Sequence, residues 1–300
     1  MEAWIILSVA AAAFQTLRFM LQKYLSTSAL SAGGATFARF AYSAPFVVTL
    51  CLAHIHFSGA VVPRLTPLFW GLAMSGGLAQ ILATWCVVAL FAQRNFAVGI
   101  TFKKTEVIQT ALAGLIVLGD RVSLHGVGAI LLGLVGVLIL SENAAGPGLW
   151  VRRLINRAAA LGLASGAFFA VSAVAYRGAT LQIGSDDPLL RAGVALAVVT
   201  VAQTLGLGAW LAWRETGQLG RVLAARRTAV WIGITGMCGS LCWFTAFTLQ
   251  NAAYVFAVGQ IEVVFSVMAS VLIFRERMTW REFGGIGLVS LSILVLVAVA

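Results

Sequence analysis

Apolar tracts long enough to cross a membrane follow one another along the whole chain. A transmembrane helix needs about 20 mostly apolar residues, because each residue advances the helix by about 1.5 Å through a hydrocarbon core about 30 Å thick. Only 10% of the 300 residues are charged, against about a quarter in an ordinary soluble domain. We predict an all-α integral membrane protein with ten transmembrane helices. The predicted spans are 3–23, 33–55, 67–91, 97–117, 124–141, 158–176, 189–212, 229–249, 253–273 and 281–299.

This pattern excludes a soluble enzyme, a nucleic-acid-binding protein and a single-pass receptor. The net charge of +10 would indicate a polyanionic partner in a soluble protein, but the arginines fall mostly between the apolar tracts and are typical of membrane topology signals. The sequence has no nucleotide-binding glycine loop and no nucleophile beside a base. We therefore expect no enzymatic activity, no cofactor, no metal and no nucleic-acid partner, and we expect the lipid bilayer and a small molecule as partners.

The two halves of the sequence are repeats of each other. At an offset of 156 positions, Glu106 aligns with Glu262, and Asp120 with Glu276, without a gap. Apolar composition alone would not align the few acids at one offset. We predict two five-helix repeats, at residues 1–145 and 157–300. An odd number of spans in each repeat requires that the second repeat be inverted in the membrane relative to the first.

The distribution of cations predicts the orientation of the chain. Arginines cluster in the connections that follow the fifth, seventh and ninth spans, and cytoplasmic connections carry such an excess. Both termini are therefore expected on the outer side of the membrane, for which we predict a bacterial-type inner membrane.

Charged side chains deep inside a span are costly unless paired or hydrated, so they are the first functional candidates. The fourth span carries Lys103, Lys104 and Glu106, with Glu106 near the midplane, and Glu262 occupies the equivalent depth in the ninth span. We predict that the two carboxylates bind a proton or a substrate amine, and that Lys103 and Arg39 hold a substrate carboxylate or balance the acids. Lys104 points about 100° away from Lys103 around the helix. One lysine can therefore face a cavity at the midplane while the other reaches the membrane–water interface.

A structural role is the alternative for these charges. Lys103 and Glu106 stand three positions apart on one helical face, where they would neutralise each other or bond neighbouring helices.

The three deep cations outnumber the two carboxylates by one. This excess favours a carboxylate-bearing or zwitterionic substrate over a lipophilic cation.

Polar and aromatic residues of several spans are expected to line the same cavity, although packing or an interface position is an equal alternative for the aromatic ones. The predicted lining residues are Gln80, Thr84, Trp85, Gln109, Trp243, Tyr254 and Gln260. Arg18 and Lys23, at the end of the first span, are expected to be interfacial anchors instead.

Small residues recur in the last span of each half, where they let helix backbones approach closely. These residues are Gly126, Gly128, Gly133, Gly136, Gly284, Gly285 and Gly287. They are expected to pack the two halves together or to form a homodimer, so that the protein is a monomer or a homodimer.

The carboxylates also head a longer motif. Fourteen residues after Glu106 the chain reads Leu118-Gly119-Asp120-Arg121, and fourteen after Glu262 it reads Phe274-Arg275-Glu276-Arg277, each followed by a glycine-rich helix. Over essentially its whole length, the chain resembles the ten-helix, EamA-like permeases of the drug/metabolite transporter superfamily. In that family a proline commonly follows the first Glu, but Val107 and Val263 stand there in this sequence, so no helix break is expected at that point.

The resemblance implies a secondary transporter of small metabolites, often an exporter of amino acids or related compounds, that works by alternating access without ATP. It also implies cytoplasmic termini, opposite to the charge count. We expect a permease or exporter with a midplane cavity, for which the proton is the candidate coupling ion. The alternative function is a membrane channel or a lipid-handling scaffold whose buried charges are structural pairs.

Overall fold

The computed structural model describes residues 2–91, 103–141, 157–274 and 280–299, and the regular secondary structure within these ranges is entirely α-helical, as expected. The expectations for Glu276 and for the cations at 152, 153, 275 and 277 lie outside the described residues. The helices are α1 (Ala3–Ser28), α2 (Ala32–Ser58), α3 (Pro67–Phe91), α4 (Glu106–Leu118), α5 (Leu124–Ser141), α6 (Arg157–Leu181), α7 (Pro188–Arg214), α8 (Gln218–Ala224), α9 (Arg226–Leu249), α10 (Ala252–Val258), α11 (Ile261–Phe274) and α12 (Trp280–Val299).

Seven segments of the described chain are long and apolar enough to cross a membrane, judged by length and composition. Six of them are the long helices α1, α2, α3, α6, α7 and α9, and the seventh is Ala252–Ala269. The three remaining predicted spans coincide with shorter apolar helices at Glu106–Leu118, Leu124–Gly136 and Phe283–Ala298. These segments support a multi-pass integral membrane protein, while the count of ten spans stays a prediction.

Local sequence signals set several helix ends. Ser31 begins α2 by accepting a hydrogen bond on its hydroxyl from the Gly34 amide, at 2.9 Å. Asp187 begins α7 in the same way, and Pro188 fits the first helical position, where an amide proton has no partner. At the end of α4, Gly119 has a φ of 70°, a left-handed conformation that favours glycine.

Helices of the first half pack mainly on helices of the second half. The helix α1 packs on α9, and its repeat equivalent α6 packs on α3, the repeat equivalent of α9. The second helices of the two halves, α2 and α7, pack on each other, as do the last helices, α5 and α12. Such reciprocal pairing is what a two-fold relation between the halves requires, and the inverted orientation of the halves remains a prediction.

The ninth predicted span is not one continuous helix. The helix α10 ends at Val258 and α11 begins at Ile261, which corrects the expectation of an unbroken span over 253–273. Gly259 lies at the break, and the ring of Trp243 packs against its backbone, since a Cβ there would lie 2.5 Å from Cη2 of that ring. At the turn, the Val263 amide donates to the Gln260 carbonyl at 3.0 Å.

The first half has the same turn bond at the equivalent position. The Val107 amide donates to the Lys104 carbonyl at 3.4 Å, 156 positions before its counterpart. Both turns come directly before a glutamate in the first turn of a half-helix, Glu106 in α4 and Glu262 in α11. The structure therefore places the two carboxylates at equivalent local positions of the two halves.

Candidate functional site

Four charged side chains meet where the two halves of the chain contact each other. Nζ of Lys103 lies 3.0 Å from Oε2 of Glu262 and 3.4 Å from Oε1 of Glu106. Nζ of Lys104 donates to the same oxygen of Glu262 and lies 3.5 Å from Oε1 of Glu106. None of the four side chains is more than 1% exposed. The structure thus brings together the four residues that the sequence singled out in the fourth and ninth spans.

Helix ends position these charges. Each carboxylate lies in the first turn of a half-helix, where the helix dipole is positive. Nζ of Lys104 also donates at 3.0 Å to the carbonyl of Gly259, at the C-terminal, negative end of α10. Both lysines therefore face the cluster, and neither reaches the interface. This differs from the helical-wheel expectation, because Lys103, Lys104 and Thr105 precede α4 and do not continue its regular turns.

A face of α1 extends the cluster. Nε2 of Gln15 donates to Oε2 of Glu262 at 3.1 Å. The guanidinium of Arg18 donates to Oε1 of Gln15 at 3.3 Å and to Oε1 of Gln22 at 2.9 Å, and Arg18 is 1% exposed. The expectation that Arg18 is an interfacial anchor is therefore wrong, since α1 continues to Ser28 and places Arg18 in the interior. The sequence does contain a signal for the buried position of Arg18, since the spacing of Gln15, Arg18 and Gln22 puts three polar residues on one helical face.

Arg39 is the second buried guanidinium. It donates to Oγ1 of Thr84 at 3.1 Å and to Oγ of Ser240 at 3.0 Å, which links α2 to α3 and to α9. Within the described part of the chain, the buried set contains two lysines and two arginines against two glutamates. The excess of cations is therefore two rather than the one expected from the sequence, because Arg18 joins the set.

A small cavity adjoins the cluster. Its volume is about 20 Å³, which is space for about one water molecule, so the site is closed in this conformation. Charged and polar side chains line it together with aromatic rings. The lining residues include Gln15, Gln80, Lys103, Glu106, Ser240, Tyr176, Trp243, Phe247 and Phe256.

Several buried polar atoms of the site have no hydrogen-bond partner among the described residues. They are Oε2 of Glu106, Oε1 of Glu262 and Nε1 of Trp243. The ring of Trp243 stacks on Phe247 at 5.8 Å between centroids and meets Phe256 edge-on at 5.3 Å. An unsatisfied buried polar group costs about 1–3 kcal/mol, so these atoms are the natural contacts for a ligand or for ordered water.

The other predicted lining residues fall in different places. Gln80 lines the cavity and bonds to Tyr176 at 3.0 Å, whereas Trp85 packs edge-on against Trp210 at 4.8 Å, in an apolar groove of about 400 Å³ between α3 and α7. The hydroxyl of Tyr254 accepts from the Ser123 amide at 3.0 Å, ahead of α5.

Two amide side chains remain from the predicted lining set. Oε1 of Gln260 would lie 2.4 Å from a Cβ on Gly133, which directs this side chain toward α5. Oε1 of Gln109 has no partner among the residues that the structure describes. Neither glutamine belongs to the lining of the cavity beside the cluster.

An ion pair that the sequence reasoning missed joins the two halves elsewhere. Nε of Arg177 lies 2.7 Å from Oδ2 of Asp120, and Nη1 of Arg177 donates to the carbonyls of Phe247 and Gln250 at 2.7 and 2.8 Å. Arg177 therefore ties the end of α4 to α6 and to the end of α9. The repeat alignment includes Asp120, but its partner Arg177 lies one residue beyond the predicted sixth span, 158–176.

The glycine-rich last helices contact each other in part as expected. A Cβ on Gly136 would lie 2.9 Å from the Gly285 carbonyl and 2.9 Å from the Val289 amide, so α5 and α12 approach backbone to backbone there. Positions 128, 284 and 287 have nothing within 4 Å of a Cβ, and they do not take part in this contact.

The long apolar helices define an integral membrane protein of the multi-pass class. Residues 156–298 match the sequence model of the EamA-like transporter family, in agreement with the resemblance found in the sequence. No curated protein matches the chain. A solved structure described only as the crystal structure of a protein superposes with a TM-score of 0.67 at 16% identity, over 97% of this chain and 99% of the other. At that identity the likeness shows the fold alone.

Proposed function

We propose that the protein is a secondary active transporter that binds a small metabolite, such as an amino acid or a related compound, at the buried cluster of Lys103, Lys104, Glu106 and Glu262. The observation that carries this proposal is a charged site, closed to solvent, at the contact between two repeat-related halves. Transporters built from repeats hold substrates and coupling ions at such a contact, often at broken helices. The EamA-like match supports the transporter class.

Alternating access requires the closed site to open to each side in turn. The contact of Arg177 with Asp120 crosses from the second half to the first, and the same guanidinium holds the carbonyls at the end of α9. We assign to this contact the closure of one side, since α4, α6 and α9 cannot separate there while it persists. Opening on that side would expose the aromatic rings of Trp243, Phe247 and Phe256.

Glu106 is the better candidate of the two glutamates for carrying a proton. Its contacts to the lysines, at 3.4 and 3.5 Å, are longer than the 3.0 Å contact of Lys103 with Glu262, which also accepts a hydrogen bond from Gln15. Protonation of Glu106 would therefore disrupt fewer interactions. In this proposal Glu262 fixes the lysines, while Glu106 exchanges its proton as the site opens to each side.

The test of the transporter proposal is flux in proteoliposomes. A panel of amino acids and organic acids is supplied outside, and uptake is followed with and without the same compound inside. A transporter gives uptake that saturates with concentration and is accelerated by internal substrate. Unitary currents in planar bilayers, or flux that rises linearly with concentration, would instead support the channel alternative.

The test of coupling is the pH dependence of that flux. Glu106→Gln keeps the size of the side chain and one acceptor oxygen but cannot exchange a proton. We expect uptake by this variant to lose most of its pH dependence between pH 6 and pH 8 while exchange continues. A Glu106→Gln variant with the full pH dependence of the parent would overturn the coupling role.

A further inference from the structure

The buried site holds more cations than carboxylates, so ion pairing does not neutralise all of its charges. The two glutamates make all the carboxylate contacts of Lys103 and Lys104, which leaves the guanidiniums of Arg18 and Arg39 bonded only to neutral groups in the described structure. Both arginines are at most 4% exposed. Ionised groups in the membrane interior are rare and generally paired, so an excess of two cations at one site is a costly arrangement.

Neither guanidinium lines the cavity, but each is hydrogen-bonded to a residue that does. Arg18 bonds to Gln15, and Arg39 bonds to Ser240, and Gln15 and Ser240 both line the cavity. A guanidinium has five N–H donors, and the described contacts of each arginine use two of them. Rotation of Gln15 or Ser240 would therefore present a cation with spare donors to the cavity.

Gly236 brings the two arginines close together. Cγ of Arg39 and Cδ of Arg18 lie 3.1 and 3.3 Å from the point that a Cβ on Gly236 would occupy. Because α9 has no side chain at this position, both arginine stems pass across the same spot on its surface. The two charges therefore belong to one site.

The cavity wall adds a further donor. Nε1 of Trp243 is buried and has no acceptor among the described residues, and it lies on a ring that lines the cavity. Two guanidiniums and two ammonium groups carry twice the charge of the two glutamates, although one oxygen of each glutamate also has no partner among the described residues. The group that completes such a site is an acceptor with negative charge, for which arginine is well suited as a bidentate donor.

We propose that the substrate is a small organic anion with a net negative charge, and that its acidic group binds between Arg18 and Arg39. This inference rests on the proposed transport function and narrows its substrate class. A zwitterion leaves the excess of two cations unchanged, a monoanion halves it, and a dicarboxylate removes it. The order of preference follows from this balance: succinate first, then glutamate, then leucine.

The first test measures the thermal unfolding of the detergent-solubilised protein with succinate, glutamate, leucine or sodium chloride at matched ionic strength. Succinate should raise the Tm most, glutamate less, and leucine no more than sodium chloride, because a ligand stabilises the folded state by mass action. Stabilisation by leucine equal to or above that by succinate would overturn the proposal. Equal stabilisation by sodium chloride and succinate would also overturn it, since it would indicate a site for any small anion.

Variants separate a binding role of the arginines from a structural one. Arg39→Gln and Arg18→Gln should unfold at the same temperature as the parent or above it without ligand, because each removes an unneutralised buried cation, and both should abolish the succinate shift. Arg64→Gln removes an exposed cation and is the matched control that retains the shift. Destabilised ligand-free variants that keep the succinate shift would show a structural role and contradict the proposal.

Gly236→Ala tests the shared position of the arginines without changing charge. The added methyl group would displace two flexible stems, so the variant should fold but lose at least tenfold in succinate affinity. Gly206→Ala, where a Cβ meets nothing within 4 Å, is the control. If flux assays find saturable uptake of leucine that Arg39→Gln leaves intact, the transport function stands and the anion proposal fails. If no compound shows saturable flux, the transport function itself fails.

Discussion

The ammonium group of Lys103 lies 3.0 Å from the carboxylate of Glu262, although 159 positions of sequence separate the two residues. The contact joins the two halves of the chain inside a site closed to solvent. Lys103 also lies 5.4 Å and 4.9 Å from the ring centroids of Phe19 and Phe169, so cation–π attraction supplements the ion pairs. The stability of the fold and the proposed substrate site therefore depend on the same few charges.

Glu262→Gln should strongly destabilise the protein. The substitution raises the excess of buried cations from two to three and removes the nearer of the two carboxylates that both lysines contact. Leaving a buried charge without its partner costs about 3–5 kcal/mol. Thermal unfolding in detergent measures this loss, which should exceed that of Glu106→Gln, whose contacts are longer.

A second substitution tests whether charge balance is the cause. Lys104→Met in the Glu262→Gln background returns the excess to two, so the double variant should be more stable than Glu262→Gln alone. Double-mutant analysis gives the coupling between the two positions. Strictly additive losses would show that the effect of Glu262→Gln does not come from the lysine.

Gly259→Ala should disturb the helix break through Trp243. The new methyl group would lie 2.5 Å from Cη2 of that ring, and overpacking of this kind costs about 1–3 kcal/mol. Trp243→Phe in the Gly259→Ala background removes the clash and should recover stability. No recovery in the double variant would mean that the glycine serves the backbone turn alone.

Asp120→Asn should weaken the contact between α4 and α6. The carboxylate and the guanidinium of Arg177 are mostly buried, and a hydrogen bond to a charged group contributes about 1.5–3 kcal/mol. Arg177→Lys should be destabilising as well, because a lysine cannot bond Asp120 and both carbonyls in the same geometry. Asp186→Asn, at an exposed position, is the control. Tm values of Asp120→Asn and Arg177→Lys as close to that of the parent as the control would contradict the assignment.

Gly136→Ala and Gly128→Ala should change stability in opposite directions. The first adds a methyl group against the backbone of α12 and should cost about 1–3 kcal/mol. The second points into open space and should add up to about 1 kcal/mol through helix propensity. Thermal unfolding of the two variants side by side makes the comparison, and a stable Gly136→Ala variant would argue against close packing of α5 on α12.

Asp187 should give a pH-dependent contribution to stability. Its hydrogen bond with His54, at 2.7 Å, lowers the pKa of the carboxyl, whose ordinary value is about 3.9. Since the pKa is lower in the folded state, this interaction stabilises the fold above the ordinary value and is lost as the pH falls through the folded pKa. Asp187→Asn should therefore be less stable than the parent at neutral pH, and the difference should shrink below about pH 4.

Asp187→Ala distinguishes the charge from the helix cap. Oδ1 of Asp187 accepts from the Leu189 amide at 2.8 Å, a contact that Asn can retain and Ala cannot. The alanine variant should therefore lose about 1 kcal/mol more than the asparagine variant at every pH. Equal stability of the two variants would mean that Asp187 does not cap α7.

Much of the site could be predicted from the sequence because charges are rare in this chain. The repeat offset selected Glu106 and Glu262, and the depth of Lys103, Lys104 and Arg39 within apolar tracts marked them as well. The structure brings the lysines and glutamates together, and it bonds Arg39 to Thr84 and to Ser240, which lines the adjoining cavity. Their roles in binding and coupling stay predictions.

The features of the site that the sequence did not predict depend on helix ends and on contacts between helices, which hydropathy does not report. Arg18 was assigned to an interface because the predicted first span stopped at residue 23, whereas α1 continues for a further turn. At the helix break, Gly259 lies against the ring of Trp243, and this contact between helices is absent from local sequence. Arg177 pairs with a residue of the other half, and only the packing of α6 shows the pairing.

The most direct test of the proposed transport site is counterflow in proteoliposomes with the parent protein, Glu262→Gln and the control Asp186→Asn. We predict saturable uptake of an organic acid by the parent and by the control, accelerated by the same acid inside, and at least a tenfold loss with Glu262→Gln at equal amounts of folded protein. Uptake that does not saturate, or a Glu262→Gln variant with parental counterflow, would contradict it.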